Sequence, residues 1–346
     1  MIFSACPAPI LDHKTVVLGH GSGGKLTHQL IQKMIVPAFQ NPILEAQHDG
    51  AILPMNGARI AFSTDSYIVH PIFFPGGNIG DLAVNGTVND LAMCGAKAQY
   101  LSASLIIEEG LFMDDLWQVL SSMRAAAERA GVTLVTGDTK VVDRGKGDKI
   151  FVNTSGIGMV LDDVNIDPTL ASPGDLIIVS GPIASHGMAI MSVREGLEFE
   201  TAIESDTAAL NGLVETMLAA SSGIHVLRDP TRGGVASALN EIAERSRVGI
   251  RIDESRIPIR PDVQGACEIL GLDPLYVANE GKLLAFVSPH EADRVLAAMR
   301  RDPLGRESEI IGEVIADHPQ LVVMRTRIGG NRIVDMLSGE QLPRIC

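Results

Sequence analysis

The chain has no Cys-x-x-Cys pair, no apolar run long enough to cross a bilayer, no low-complexity tract and no surplus of positive charge. Its four cysteines, Cys6, Cys94, Cys267 and Cys346, stand singly, which excludes the paired spacing of a zinc site and offers no disulfide framework. Apolar runs such as 176–179 and 283–287 are strand length, far short of the roughly 18 residues that a membrane span needs. The N-terminus lacks a basic stretch followed by an apolar core, so no export signal is read there and a soluble cytoplasmic protein is expected. With 28 basic against 42 acidic residues the formal charge is -14, which repels a phosphate backbone and sets nucleic acid aside as a partner.

What remains is a globular, turn-rich chain. Hydrophobic residues make up 46% of the 346 and charged residues 20%, a balance that supports packed cores and argues against disorder. That length suits two domains better than one core. Strand-like segments at 59–64, 99–107, 132–136 and 149–160 interleave with helical patterns near 79–94 and 113–130. Asp-Pro, Ser-Pro and Gly-Asp steps at 162–175 then break the pattern and place a domain boundary near residue 168. The second half alternates again, with helices near 185–194, 206–220, 233–246, 262–270 and 290–300. Its strands fall near 176–180, 224–227, 248–253, 282–287, 308–316 and 320–326. The expected units are 1–168, 169–338 and an extended tail, 339–346, with a thiol at its free end.

The glycine-rich stretch Gly19-His20-Gly21-Ser22-Gly23-Gly24-Lys25 precedes apolar residues at helical spacing that run until Pro37. Gly19 and Gly24-Lys25 satisfy G-x-x-x-x-G-K, but Leu26 stands where a P-loop needs a magnesium-binding hydroxyl. A flexible loop covering phosphates through Gly21, Gly23, Gly24 and Lys25 fits better, and a purely conformational helix-entry turn fits as well.

Aspartates recur at strand ends and turns: Asp49 in His-Asp-Gly, Asp65 in Ser-Thr-Asp-Ser, Asp138 in Thr-Gly-Asp-Thr and Asp229 in Arg-Asp-Pro-Thr-Arg-Gly-Gly. Hard carboxylate oxygens beside small residues are what Mg²⁺ bridging ATP phosphates requires. Each one alone is more often a turn former or helix cap, and their number is what favours the metal reading. Asp81, Asn85 and Asn89 mark one stripe of the 79–94 helix, with Asp90 as a further metal candidate. A wet helix face explains that stripe equally well. Lys140 shares a side of its extended segment with Asp138, and Glu280 precedes an apolar strand. Both suit proton transfer or anion binding, and both suit a solvated surface. A terminal Cys346 has no packing value and sits beside its own carboxylate, which discourages thiolate formation. On a mobile arm, though, it could carry a group into a site.

Together these motifs resemble the HypE family of hydrogenase maturation proteins, within the ATP-binding superfamily of aminoimidazole ribonucleotide synthetase, thiamine-monophosphate kinase and selenophosphate synthetase. The resemblance spans nearly the whole chain. It rests on the glycine stretch, Ser63-Thr64-Asp65-Ser66, Phe73-Phe74-Pro75-Gly76-Gly77-Asn78-Ile79-Gly80, Asn89-Asp90-Leu91-Ala92 and Thr136-Gly137-Asp138-Thr139-Lys140. Arg228-Asp229-Pro230-Thr231-Arg232-Gly233-Gly234 and Ala278-Asn279-Glu280-Gly281-Lys282 extend it, and the terminal Pro343-Arg344-Ile345-Cys346 points to HypE in particular. It implies an α/β plus α+β, two-domain aminoimidazole ribonucleotide synthetase-like fold whose N-terminal strands form a barrel-like interface in a homodimer. It also implies ATP-dependent dehydration of a carbamoyl group on Cys346 to a thiocyanate. Asp49, Asp65, Asp90 and Asp229 would hold Mg²⁺, Asp138 and Thr139 would sit by the nucleotide, and Lys140 and Glu280 would flank the thiocarboxamide. The implied partners are the carbamoyltransferase HypF and a HypC-HypD scaffold that accepts cyanide. A small-molecule kinase or synthetase of the same superfamily is the alternative.

Overall fold

Helix entry at the glycine stretch sets the front of the molecule. After extended Val17, Leu18–Gly21 wind into a 3-10 turn and α1 (Lys25–Leu30) begins at Gly24. The helical path passes through a π turn at Ile31–Ile35 into α2 (Val36–Phe39), so Pro37 does not end it. The wide π turn spreads the carbonyls that the proline ring would otherwise crowd. The computed structural model describes residues 13–39, 41–197, 202–338 and 344–346.

A short α3 (Pro42–Glu45), capped by the Asn41 side chain, leads into β1 (Ala51–Met55) and β2 (Ala58–Tyr67). The two-residue strands β3 (Phe73–Phe74) and β4 (Gly77–Asn78) form a small hairpin before α4 (Ile79–Met93). Asn78 caps α4 in a reciprocal box with Asp81, satisfying backbone donors that the helix cannot. Then come β5 (Ala96–Glu108), α5 (Met113–Ala130), β6 (Thr133–Val142) and β7 (Ile150–Val160). These make a five-stranded sheet in the order β1-β2-β7-β5-β6. Only β5 and β6 run parallel, because α5 returns the chain between them. α4 is buried almost all round and packs on one face of this sheet. At Gly86 a Cβ would lie 2.1 Å from the Tyr67 hydroxyl oxygen, a close approach only glycine permits.

The second half contributes β8 (Leu176–Val179), α6 (Ser185–Arg194), α7 (Asn211–Ala220), β9 (Ile224–Arg228), α8 (Gly234–Ser246) and β10 (Gly249–Asp253). It continues with α9 (Pro261–Leu270), β11 (Leu284–Val287), α10 (Ala292–Met299), β12 (Glu309–Ile315), β13 (Val322–Arg325) and β14 (Asn331–Ile333). Its seven-stranded sheet runs β14-β13-β10-β12-β8-β11-β9, antiparallel apart from β10 with β13. β11 is buried along its whole length, which explains its unbroken apolar run. Strands β1 and β14 have no counterpart in the sequence reading, since Pro54 interrupts one and the other is short and polar.

The stripe on α4 is not a wet face. Asn85 and Asn89 are 3% and 1% exposed, and both reach the start of the second half. Asn85 Nδ2 donates to Thr207 Oγ1 at 3.1 Å, Asn89 Nδ2 donates to Ala208 O at 3.0 Å, and Asn89 Oδ1 accepts from Leu210 N at 2.7 Å. No helix among the described residues is long and apolar enough to cross a membrane.

Candidate active site

Four elements converge on one acidic cavity of about 490 Å³. Asp49 sits in the loop before β1, Asp65 within β2, Asp90 near the end of α4 and Asp229 directly after β9. Ligand oxygens of Asp49, Asp90 and Asp229 lie within 4.8 Å of one another. Asp65 lines the same cavity but stands outside that group. The four aspartates that the resemblance assigns to Mg²⁺ thus share one cavity, although 180 positions separate the first from the last.

Burial sets the electrostatics. Desolvation, with Asp229, Asp65 and Asp49 as like-charged neighbours, pushes Asp90 well above the usual carboxylate range, though Ser63 Oγ donates to Asp90 Oδ2 at 2.6 Å. Desolvation and then Asp49 push Asp229 up to about 8. Desolvation raises Asp49 to about 6 against the pull of Arg228. Arg228 pairs with Asp49 and with Glu241, the latter at 2.6 Å. Asp49 Oδ2 is nevertheless buried without a hydrogen-bond partner among the described residues. An orphaned oxygen among clustered carboxylates that resist joint ionisation fits a hard divalent cation.

The C-terminus lies at the edge of this cavity. Of the expected tail, 339–346, residues 339–343 lie outside the described residues, and the described end packs against the body of the protein. Ile345 and Cys346 are 1% and 5% exposed. Arg232 Nε donates to Cys346 Sγ at 3.3 Å, and Arg232 Nη1 donates to Gly21 O at 2.8 Å. Glu280 lies close enough to the thiol for each group to shift the other's proton affinity. Burial pushes the thiol up to about 12 despite Arg232, with Glu280 adding to the rise. Glu280 itself is pushed well above its usual range by desolvation and then by Asp229 and Asp65, and its Oε1 has no hydrogen-bond partner among the described residues. A smaller cavity of about 360 Å³, lined by Leu18, Gly21, Ser22, Arg232 and Arg344 among others, opens on the thiol.

The glycine stretch divides. Gly23 and Gly24 line the acidic cavity, whereas Gly21 lines the smaller one. Lys25 turns away: its Nζ pairs with Asp335 at 2.5 Å and its N–H donates to Leu337 O at 2.8 Å, so neither group faces the acidic cavity. A Cβ on Gly24 would meet Leu337 O at 2.3 Å, which explains the glycine sterically.

Asp138, Thr139 and Lys140 lie elsewhere in the single chain. They sit on β6, the exposed edge strand, and Lys140 Nζ lies 2.8 Å from both oxygens of Asp138. That partner holds Asp138 below the usual carboxylate range. Asp138 and Thr139 line a separate cavity of about 810 Å³ against α5. Lys140 therefore does not flank Cys346 within one chain; Arg232 takes that place. Sequence reasoning gave no role to Arg228, Arg232 or His48. The only signal was the position of both arginines in the Arg-Asp-Pro-Thr-Arg motif, since arginine is ordinarily a surface residue. His48 accepts from Asp49 N at 2.8 Å through Nδ1, a backbone contact that leaves no trace in spacing.

Comparison with known proteins follows the same geometry. Residues 47–160 match the N-terminal domain and 172–324 the C-terminal domain of AIR synthase related proteins. The chain is 56% identical over 330 residues to carbamoyl dehydratase HypE of Cupriavidus necator, covering 95% of this chain and 94% of that one. A crystal structure of hydrogenase maturation protein HypE in complex with ATP is similar at 50% identity and a TM-score of 0.81, covering 96% of this chain and all of the other. HypE in a crystal structure of a HypE-HypF complex is 48% identical with a TM-score of 0.85, covering 89% of this chain and 99% of that one.

Proposed function

The chain belongs to the HypE family of carbamoyl dehydratases, and from that membership we propose that it uses ATP to dehydrate a carbamoyl group on its own Cys346. The observation that carries this reading is the place of the terminal thiol. Cys346 is buried between Arg232 and Glu280, beside a cavity of four aspartates.

The reaction balances as enzyme-S-C(O)NH₂ plus ATP giving enzyme-S-CN, ADP and phosphate. Bound Mg·ATP supplies the phosphoryl group that makes the amide oxygen a leaving group. Asp49, Asp90 and Asp229 would hold Mg²⁺, with Asp65 beside them. Glu280, once ionised, would take a nitrogen proton through Oε1, which meets no competing partner among the described residues. Arg232 would steady negative charge on the carbamoyl group while tethering the glycine stretch through Gly21 O. Gly23 and Gly24 border the cavity and would exclude water.

Self-association supports the parts that one chain leaves apart. The outer face of the five-stranded sheet exposes Phe62, Ile157 and Tyr100 at 41%, 40% and 46%, and these three form one cross-strand row. An apolar sheet face beside an exposed edge strand calls for a partner. A homodimer through this face would put β6, with Asp138, Thr139 and Lys140, at the subunit boundary. The same reading takes HypF as the carbamoyl donor, a HypC-HypD scaffold as the cyanide acceptor, and the cytoplasm as the setting. It divides the chain at about residue 168, within the gap between the two matched segments.

The test is intact mass spectrometry after incubation with Mg·ATP, carbamoyl phosphate and HypF, beside Cys346→Ala. A carbamoyl adduct that loses one water only with ATP, and never forms in the variant, is expected. Unmodified Cys346 with ATP turnover on a free metabolite would replace this reading with a small-molecule kinase.

A further inference from the structure

Asn279 is 1% exposed and commits its whole side-chain amide to backbone groups. Its Oδ1 accepts from Ala184 N at 2.7 Å, and its Nδ2 donates to Pro230 O at 2.8 Å and to Val277 O at 3.2 Å. Its own N–H also donates to Pro230 O, at 3.3 Å. A side-chain amide has two N–H donors, so both are taken, and one carbonyl receives two bonds from a single residue.

Pro230 follows Asp229, and Asn279 precedes Glu280. The amide therefore ties the turn after β9, which brings a carboxylate of the acidic cluster, to the turn before β11, which brings the proposed base. The Glu280 backbone is pinned on its other sides as well. Its N–H donates to Asp206 Oδ1 at 3.0 Å, and its carbonyl accepts from Ala208 N at 3.4 Å. A Cβ on Gly281 would lie 1.8 Å from Asp206 O, so the chain passes here without slack. The third anchor is strained. Ala184, at the start of α6, has φ 73° and ψ 4°, a left-handed conformation that a residue with a Cβ resists and keeps only where its surroundings hold it.

We propose that Asn279 is a positioning residue for the dehydration: through Pro230 O it sets Glu280 at a fixed distance from Asp229, so that the base and the carboxylate cluster meet on one carbamoyl group. This deepens the dehydratase reading and rests on it. Aspartate could not serve in its place, because a carboxylate oxygen would face the carbonyls of Pro230 and Val277.

Two double-mutant cycles on the full-length protein separate positioning from support of the fold. The first follows single-turnover loss of water from the carbamoylated tail by mass spectrometry, with HypF, carbamoyl phosphate and Mg·ATP. Asn279→Ala is expected to slow this step about tenfold or more, yet by no more than about twofold once Glu280→Gln has removed the base, since a displaced base and an absent one are alike. The second follows Mn²⁺ affinity by electron paramagnetic resonance, without nucleotide or turnover, Mn²⁺ taking the oxygen ligands that suit Mg²⁺. Asn279→Ala should weaken binding about threefold or more on its own and have almost no effect beside Asp229→Asn. If the alanine variant fails to fold, Asn279→Ser, which keeps a small hydroxyl in the site, enters the same cycles. Losses that are equal with and without the partner substitution, in either cycle, overturn the proposal, as does a variant that loses nothing. Wild type that binds no Mn²⁺ removes the metal-side carboxylate and the proposal with it. Wild type that sheds no water ends the dehydratase reading instead, while the Mn²⁺ cycle still tests the tie to Asp229.

Discussion

Arg232 Nε lies 3.3 Å from Cys346 Sγ, so a cation touching the thiol comes from the same motif that supplies Asp229. Arg232→Met is expected to slow dehydration of the carbamoylated tail by about ten- to a hundredfold, the range for losing a charge-assisted hydrogen bond. Loading by HypF should still reach completion, and Arg232→Lys should recover part of the rate. Quenched-flow mass spectrometry of the C-terminal peptide checks this; equal losses in loading and dehydration would refute it.

Asp90 is a buried carboxyl whose ionisation its neighbours oppose. Asp90→Asn should therefore raise the melting temperature in EDTA while, if Asp90 holds Mg²⁺ as proposed, lowering ATP turnover by roughly a hundredfold or more. Differential scanning fluorimetry beside an ADP-release assay separates the two effects. A destabilised variant that keeps its turnover would show that Asp90 has only a structural role.

The pH dependence follows from raised carboxyl pKa values. Asp49 at about 6 and Asp229 at about 8 both exceed their unfolded value of 3.8. Their contribution to stability is full below pH 3.8 and is lost as pH rises through 6 and 8. The metal-free melting temperature should fall from pH 5.5 to 8.5, and saturating Mg²⁺ should raise it more at pH 8.5 than at pH 5.5. A ligand at 100 times its Kd adds about 2.7 kcal/mol. An Mg²⁺ effect that is flat across this range would count against the carboxylate cluster as the metal site.

On the outer sheet face, Ile157→Glu places a charge between Phe62 and Tyr100. If this face joins two chains, the variant should sediment as a monomer with a fold unchanged by circular dichroism, since a buried unpaired charge costs several kcal/mol. A dimeric variant would move the interface elsewhere.

The sequence displayed the fold through hydrophobic period and turn chemistry. Thus the α4 and α5 patterns agree with the structure to within a residue, while β1 and β14 were hidden by Pro54 and by polar residues. The aspartates were legible because small neighbours and strand ends mark them. Arg228 and Arg232 were not, because nothing local distinguishes a half-buried guanidinium paired across the fold from a solvated one. The docked terminus was equally illegible. Pro-Arg-Ile-Cys has no periodicity, and its carbonyls are met by residues more than a hundred positions away.

Helix α4 has one further consequence. Asn85 and Asn89 tie the first half to 207–210 of the second, and Asp90 sits one residue beyond the second tie. The carboxylates of both halves are thereby held in a fixed frame, as parts bolted to a common chassis. Joined in this way, the heavy halves need not open and shut for their carboxylates to meet one ligand.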